Sequence, residues 1–204
     1  MRKTIWQPLV LGVVLGLLAG TATVTGLSFI VPGTDVSNAI GFFMTLLLLS
    51  AALGGPLAGA IASTLLIAIS TFFGPPDMKE ILSDPRIFWS NIIVVGMLMV
   101  LVGFAYRLIF ERVKMPARLL PWAGIVIAVY IINSPANITV QSYLQGDLEV
   151  LPSILFSYKT YIPQAIFDIF ITSLIFIALP ASFIRPLWYE SKQSPDQNGK
   201  TPNE

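Results

Sequence analysis

Apolar runs about twenty residues long recur from Pro8 to Leu187 with only short interruptions, and no other feature limits the fold so severely. A helix of about 20 residues at about 1.5 Å per residue matches the roughly 30 Å hydrocarbon core of a bilayer. Inside that core backbone N–H and C=O groups find no water, so continuous apolar runs must satisfy themselves as helices. Only 11% of the residues are charged, far below the roughly 25% usual for soluble domains. The interruptions leave no room for a separate soluble domain. The expectation is one all-α membrane domain over residues 1–187, lying in the bilayer of the cell (plasma or inner) membrane as a multi-pass protein.

Turn signals divide the runs into six transmembrane helices near 8–30, 38–53, 56–73, 88–106, 120–141 and 162–185. Residues 38–73 as one straight helix would reach roughly 54 Å, too long for a bilayer core. Gly54, Gly55 and Pro56 are therefore expected to turn the chain back. The start "MRKTIWQPLVLGVVLGLLAGTA" has the basic residues and apolar run of a signal peptide, but the run continues to Ile30, which makes it a first span.

Basic residues orient the spans. With a cytoplasmic N-terminus, Arg2, Lys3, Arg107, Arg112, Lys114, Arg118, Arg185, Lys192 and Lys200 fall inside, and Lys79, Arg86 and Lys159 outside. That asymmetry is the positive-inside pattern, and it places both termini in the cytoplasm. The polar segment 188–204, rich in Asn, Pro and Gly, reads as a disordered cytoplasmic tail. The segment "RLIFERVKMPARLLPW" reads as a solvated basic loop at the same surface, with the alternative that it lies among headgroups or docks on a partner.

The chain has no Cys and no His, which excludes disulfides, thiolate nucleophiles, His-bound metals and imidazole proton relays. No metal or other cofactor is expected. The basic residues form no stripe, so nothing points to nucleic acid.

Against this apolar background, Asp168 is the one ionisable residue within an expected span. A carboxylate at the centre of a membrane helix costs about 2.5 to 3.5 kcal/mol on insertion scales, so it needs a reason to be there. Tyr161, Gln164, Asp168 and Thr172 share one face of the last helix, and Tyr130, Asn133, Asn137 and Gln141 share one face of the helix before it. Two polar stripes beginning at the outer surface predict a solute pocket formed by Asn133, Asn137, Gln141, Gln164 and Asp168, with the loop from Gln141 to Tyr161 above it. The alternative for Asp168 is interhelical hydrogen bonding alone, with Asn137 or Asn91 as donor. The sequon at Asn137 sits at a span end and is discounted.

Gly12, Gly16 and Gly20 recur every four residues on the first helix, and Gly55, Gly59 and Ser63 do so on the third. Such faces let helix backbones approach closely, either within the chain or against another subunit.

The segment "LSAALGGPLAGAIAST", the stretch "FWSNIIVVGMLMVLVGFAYR", and "SPANITVQSYLQG" followed by "IPQAIFDIFITSLIFIALP" together resemble the substrate-binding S components of energy-coupling factor (ECF) vitamin transporters. There a G-P-x-x-G turn precedes the third helix, a Pro-containing end of the fifth helix leads to a glycine, and the last helix carries an Asp early and a Leu-Pro pair late. The matching residues here are Pro135, Gly146, Asp168, Leu179 and Pro180. The resemblance implies a subunit that captures a vitamin-like solute at the outer face and works with a transmembrane coupling subunit and two ATPase subunits. Gly12, Gly16 and Gly20 would then be the docking face for the coupling subunit. The chain has no Gly-x-x-x-x-Gly-Lys-Ser/Thr phosphate loop, so ATP hydrolysis is expected in the partners and no enzyme activity here.

The segment "GGPLAGAIAS" also resembles the membrane input modules of bacterial sensor kinases, which makes ligand sensing the alternative. An intramembrane enzyme is disfavoured, because one carboxylate without His, Cys or a second buried acid is a poor acid-base set.

Overall fold

The apolar runs fold as helices in a computed structural model that describes residues 6–26, 28–30, 39–74, 76, 82–146 and 150–180. In chain order these are α1 (Trp6–Val24), a two-stranded antiparallel ribbon of β1 (Ser28–Ile30) and β2 (Ala39–Gly41), α2 (Phe43–Phe73), α3 (Pro85–Arg112), α4 (Leu119–Gln145) and α5 (Val150–Ala178). Beyond the six-residue ribbon the described chain is all-α. Among the described residues five helices are long and apolar enough to cross a membrane. The expected tail at 188–204 lies outside the described residues.

α2 is two helical halves joined at a break. Gly55 has φ 82° and ψ −172°, a conformation that only glycine adopts without strain, and Pro56 then begins the second half where its missing N–H costs nothing. Eight residues along a continuous helix would span about 12 Å. Instead the Ser50 hydroxyl donates to the Ala58 carbonyl at 3.0 Å, so the chain reverses at the expected Gly54-Gly55-Pro56 turn. The expected span from residue 38 is corrected, since residues 39–41 form a strand and the half from Phe43 to Gly54 is only about 18 Å long.

Small residues set how closely the neighbours pack. A Cβ on Gly103 would come within 2.6 Å of the Pro56 nitrogen, and one on Gly59 within 3.1 Å of the Met99 carbonyl oxygen, so α3 lies against the turn and the second half of α2. The same holds for α1. A Cβ would meet the Ala58 backbone at 2.8 Å from Gly12, the Ala62 Cα at 2.8 Å from Gly16 and the Ile69 side chain at 2.6 Å from Gly20. The glycine face expected to dock a coupling subunit is therefore packed inside the chain against α2. The outward residues of α1 are Val10, Val14, Leu17 and Leu18.

The ends of α3 and α4 carry recognisable stops. Asp84 caps α3 by accepting from the Arg86 N–H at 2.8 Å, with Pro85 in the first turn. The Arg86 guanidinium folds back onto the same carboxylate and holds it below the usual Asp range. At the same end of the pair, Gly146 closes α4 in the left-handed region, φ 73°, donating to the Ser142 carbonyl.

α5 departs from expectation. It begins at Val150 rather than near 162, and α4 runs on to Gln145, so the loop expected over Gln141 to Tyr161 is mostly helix. Pro152 falls in the first turn, where no helical donor is lost, and Pro163 is accommodated inside the helix.

The core forms between these helices around Leu47, Leu48, Met99, Val102 and Val126. Tyr106, Trp122 and Phe176 close it at the end where α3 stops and α4 starts. Their rings stand 5.2 to 5.4 Å apart and none is more than 1% exposed. Outward faces of α3, α4 and α5 carry Ile93, Leu101, Ile131, Ile166 and Phe170, the pattern of helices surrounded by lipid rather than water.

Candidate binding site at Asp168

α5 runs alongside the first half of α2 in the same direction, with Phe167 against Phe42 at 5.2 Å between ring centroids and Gln164 at Gly41. α4 lies antiparallel on its other flank, since Trp122 meets Thr172 and Tyr130 meets Asp168. Asp168 thus faces two neighbours at once and is 0% exposed.

Three side chains from three elements donate to its carboxylate. The Thr45 hydroxyl of α2 bonds Oδ1, the Tyr130 hydroxyl of α4 bonds Oδ2, and Gln164 Nε2, one turn earlier on α5, bonds Oδ1 at 3.1 Å. Neutral donors stabilise an ionised carboxylate in an apolar setting, but they do not cancel its charge. Among the described residues no Lys or Arg forms an ion pair with Asp168, and no cluster of acids is placed to hold a metal. What remains, among the described residues, is a buried carboxyl group without a countercharge.

The shell around it is ordered by further bonds. Gln164 accepts from the Gly41 N–H at 2.7 Å and donates to the Gly41 carbonyl at 2.8 Å. In an antiparallel ribbon, alternate residues turn both backbone groups away from their partner strand. Gly41 presents both to α5, and the Gln164 carboxamide continues the ladder as one further rung. On the other side of Asp168, Trp122 Nε1 donates to Thr172 Oγ1 at 2.8 Å, and that hydroxyl donates to the Asp168 carbonyl at 2.5 Å. Asp168 lies about 15 Å along the helix from Ala178, near the middle of the apolar stretch from Tyr161 to Ala178.

The five expected site residues divide. Gln164 and Asp168 come together as read from their spacing. Asn133 and Asn137 are half-buried further along α4 and bond each other, Asn137 Nδ2 donating to Asn133 Oδ1 at 2.8 Å. Gln141 is half-buried another turn on. The α4 residue that reaches the carboxylate is Tyr130, at the inner end of the same stripe. Thr45 and Gly41 escaped the sequence reading because 123 residues separate them from Asp168 and Gln164. The one available signal was Thr45 itself, a hydroxyl within "FFMTLLLLSAAL".

Beside this shell, a groove of about 650 Å³ opens between α4 and α5, walled by Ile127, Tyr130, Ile131, Tyr161, Ile162 and Ile166. Its volume is that of a small-molecule site. Tyr130 is shared: its ring faces the groove and packs on Tyr161 at 5.8 Å, while its hydroxyl reaches inward to Asp168.

Comparison with protein-family models, with curated proteins and with solved structures finds no match to this chain.

Proposed function

We propose that this protein is a membrane-embedded solute-binding subunit, holding a small, neutral or weakly cationic molecule at Asp168. The observation that carries the reading is the carboxylate itself, fully buried, supported by Thr45, Tyr130 and Gln164, and, among the described residues, without a countercharge. Ionisable groups are rare within membrane spans, and where they occur they mark substrate paths, ion paths and binding sites. Hydrogen bonding between membrane helices contributes only about 0.6 kcal/mol per pair on average, a small return for burying a charge.

The physiological setting that fits is the one the sequence resembles, an energy-coupling-factor-type importer of a vitamin-like solute. A transmembrane coupling subunit and two ATPases supply the energy, because this chain has no phosphate loop. In that setting the two halves of α2 enter and leave the bilayer as one helical hairpin turned at Gly55, and both termini are cytoplasmic, in keeping with the basic residues near the end of α3. The coupling subunit docks elsewhere than on Gly12, Gly16 and Gly20, which face α2.

Purification in mild detergent followed by mass spectrometry of retained small molecules tests the reading. Asp168→Asn, which keeps size and deletes charge, is compared side by side. A charge-assisted contact is worth roughly 1.5 to 3 kcal/mol, so retention should weaken by about 10 to 150-fold at little change in thermal stability. Undiminished retention with a lowered unfolding temperature would assign Asp168 to packing alone.

A further inference from the structure

The polar shell around Asp168 is closed along the bundle axis in both directions. Toward Ala178 stand Thr172, Trp122 and the packed rings of Tyr106 and Phe176, each no more than 1% exposed. Toward Val150 stand the two bonds between Gln164 and Gly41, with Phe42 and Phe167 in contact beside them. Sideways, the barrier is thinner. Tyr130 touches both sides of that wall, lining the α4/α5 groove beside Tyr161, Ala165 and Ile169 while its hydroxyl donates to the carboxylate, and the rim of the groove is lipid-facing, with Ile131 55%, Ile162 59% and Ile166 63% exposed.

The Tyr130 ring is buried in the core and packs on Tyr161, and its hydroxyl is tethered by the bond it donates to Asp168. A ligand donor that takes over that bond removes the tether, and the ring can then move into the groove margin. Beyond the wall, Tyr158 of α5 donates to the Ile131 carbonyl at 3.0 Å and the Ser134 and Ser157 hydroxyls bond each other, so the two helices stay joined while the wall opens.

We infer that the α4/α5 groove is a lateral portal and seat for a hydrophobic amine, whose apolar body lies against Ile131, Ile162 and Ile166 and whose ammonium replaces the Tyr130 hydroxyl at Asp168. This rests on the solute-binding reading above and narrows it: the ligand arrives through the bilayer and carries one positive charge. The charge follows from complementarity, because a carboxylate that already has neutral donors gains most from a cation in a medium of low dielectric. The body follows from the groove, whose rim offers aliphatic side chains and tyrosine rings.

The probe is 4-benzoylbenzylamine, a benzophenone photolabel bearing a primary ammonium, used on the full chain in lipid nanodiscs beside its neutral twin 4-benzoylbenzyl alcohol. Labelled peptides are mapped by mass spectrometry. The amine should label the α4 and α5 segments around Ile131, Ile162 and Ile166 saturably, with at least about 10-fold preference over the alcohol. Asp168→Asn should reduce the amine to the level of the alcohol. Tyr130→Phe, which keeps the ring and removes the competing hydroxyl, should raise amine labelling severalfold, and this arm remains informative should Asp168→Asn fold poorly. Ile131→Trp, at an exposed position that fills the mouth, should suppress both probes. Equal labelling by the two probes, labelling spread evenly around the bundle, or labelling indifferent to Ile131→Trp overturns the portal. Should any of these occur while Asp168→Asn still releases the co-purified solute, the portal falls and solute binding at Asp168 stands.

Discussion

The Gln164 carboxamide engages both backbone groups of Gly41, accepting at 2.7 Å and donating at 2.8 Å, and so fastens the β1/β2 ribbon to α5. Gln164 is 4% exposed, so its removal leaves a buried backbone donor and acceptor unpaired, each costing about 1 to 3 kcal/mol. Gln164→Ala should lower the unfolding temperature in detergent. Gln164→Glu, nearly the same shape, should do so too, because it loses the donation to Gly41 and places a second carboxylate beside Asp168. A Gln164→Glu protein as stable as the parent would show that the clasp contributes nothing.

Thr45 offers a test of the shell that leaves the charge in place. Thr45→Val keeps the volume and removes the donation to Asp168, and Thr45→Ser keeps the hydroxyl. The valine variant should lose about 0.6 to 1.7 kcal/mol, the range for membrane helix hydrogen bonds, and bind solute more weakly, while the serine variant binds like the parent. Identical affinity in all three proteins would detach Thr45 from the site.

Glycine substitutions separate close packing from open surface. Gly16→Ala places a Cβ 2.8 Å from the Ala62 Cα and should destabilise by at least about 1 to 3 kcal/mol, with Gly16→Leu failing to fold. A Cβ on Gly124 in α4 would meet no neighbour within 4 Å, and Gly124→Ala should be neutral or stabilising by under about 1 kcal/mol. Melting curves of the two alanine variants in one detergent decide the matter. Equal effects would mean that α1 is not packed as described.

The proposed orientation is testable on a chain with no native cysteine. Cysteine at Gly146 should react with an impermeant thiol reagent in intact cells, and cysteine at Lys114 should react only after lysis. The opposite pattern would invert the assignment of inside and outside.

How far the sequence leads differs from element to element. The helices over "NIIVVGMLMVLVGFAYR" and "LLPWAGIVIAVYII" are readable because burial in lipid demands the same apolar composition at every turn. The reversal at Gly55 is readable for a local reason, two glycines and a proline inside a run too long to cross straight. The start of α5 at Val150 is not, since "VLPSILFSYKT" mixes polar and apolar residues and carries a proline that helices accept in a first turn. Within the site, Gln164 and Asp168 share a helix face and announce each other by spacing. Thr45, Gly41 and Tyr130 join them through tertiary packing of separate segments, which no local pattern encodes. The Gly12, Gly16 and Gly20 face illustrates the remaining ambiguity: the spacing specifies close approach, and only the fold says that α2 is what approaches.

The break at Gly55 also bears on how the chain enters its membrane during synthesis. Phe43 to Gly54 is too short to settle across a bilayer by itself, whereas Pro56 to Phe73 is about 27 Å long, mostly apolar and free of charged residues. The nascent chain must therefore hand both halves to the lipid together, as a hairpin led by its glycine-proline tip. The first half waits, in effect, for residues not yet translated. A ribosome stalled shortly after Gly54 would hold a segment that has no stable place in the bilayer, and commitment of this region comes only with the stretch that ends at Phe73.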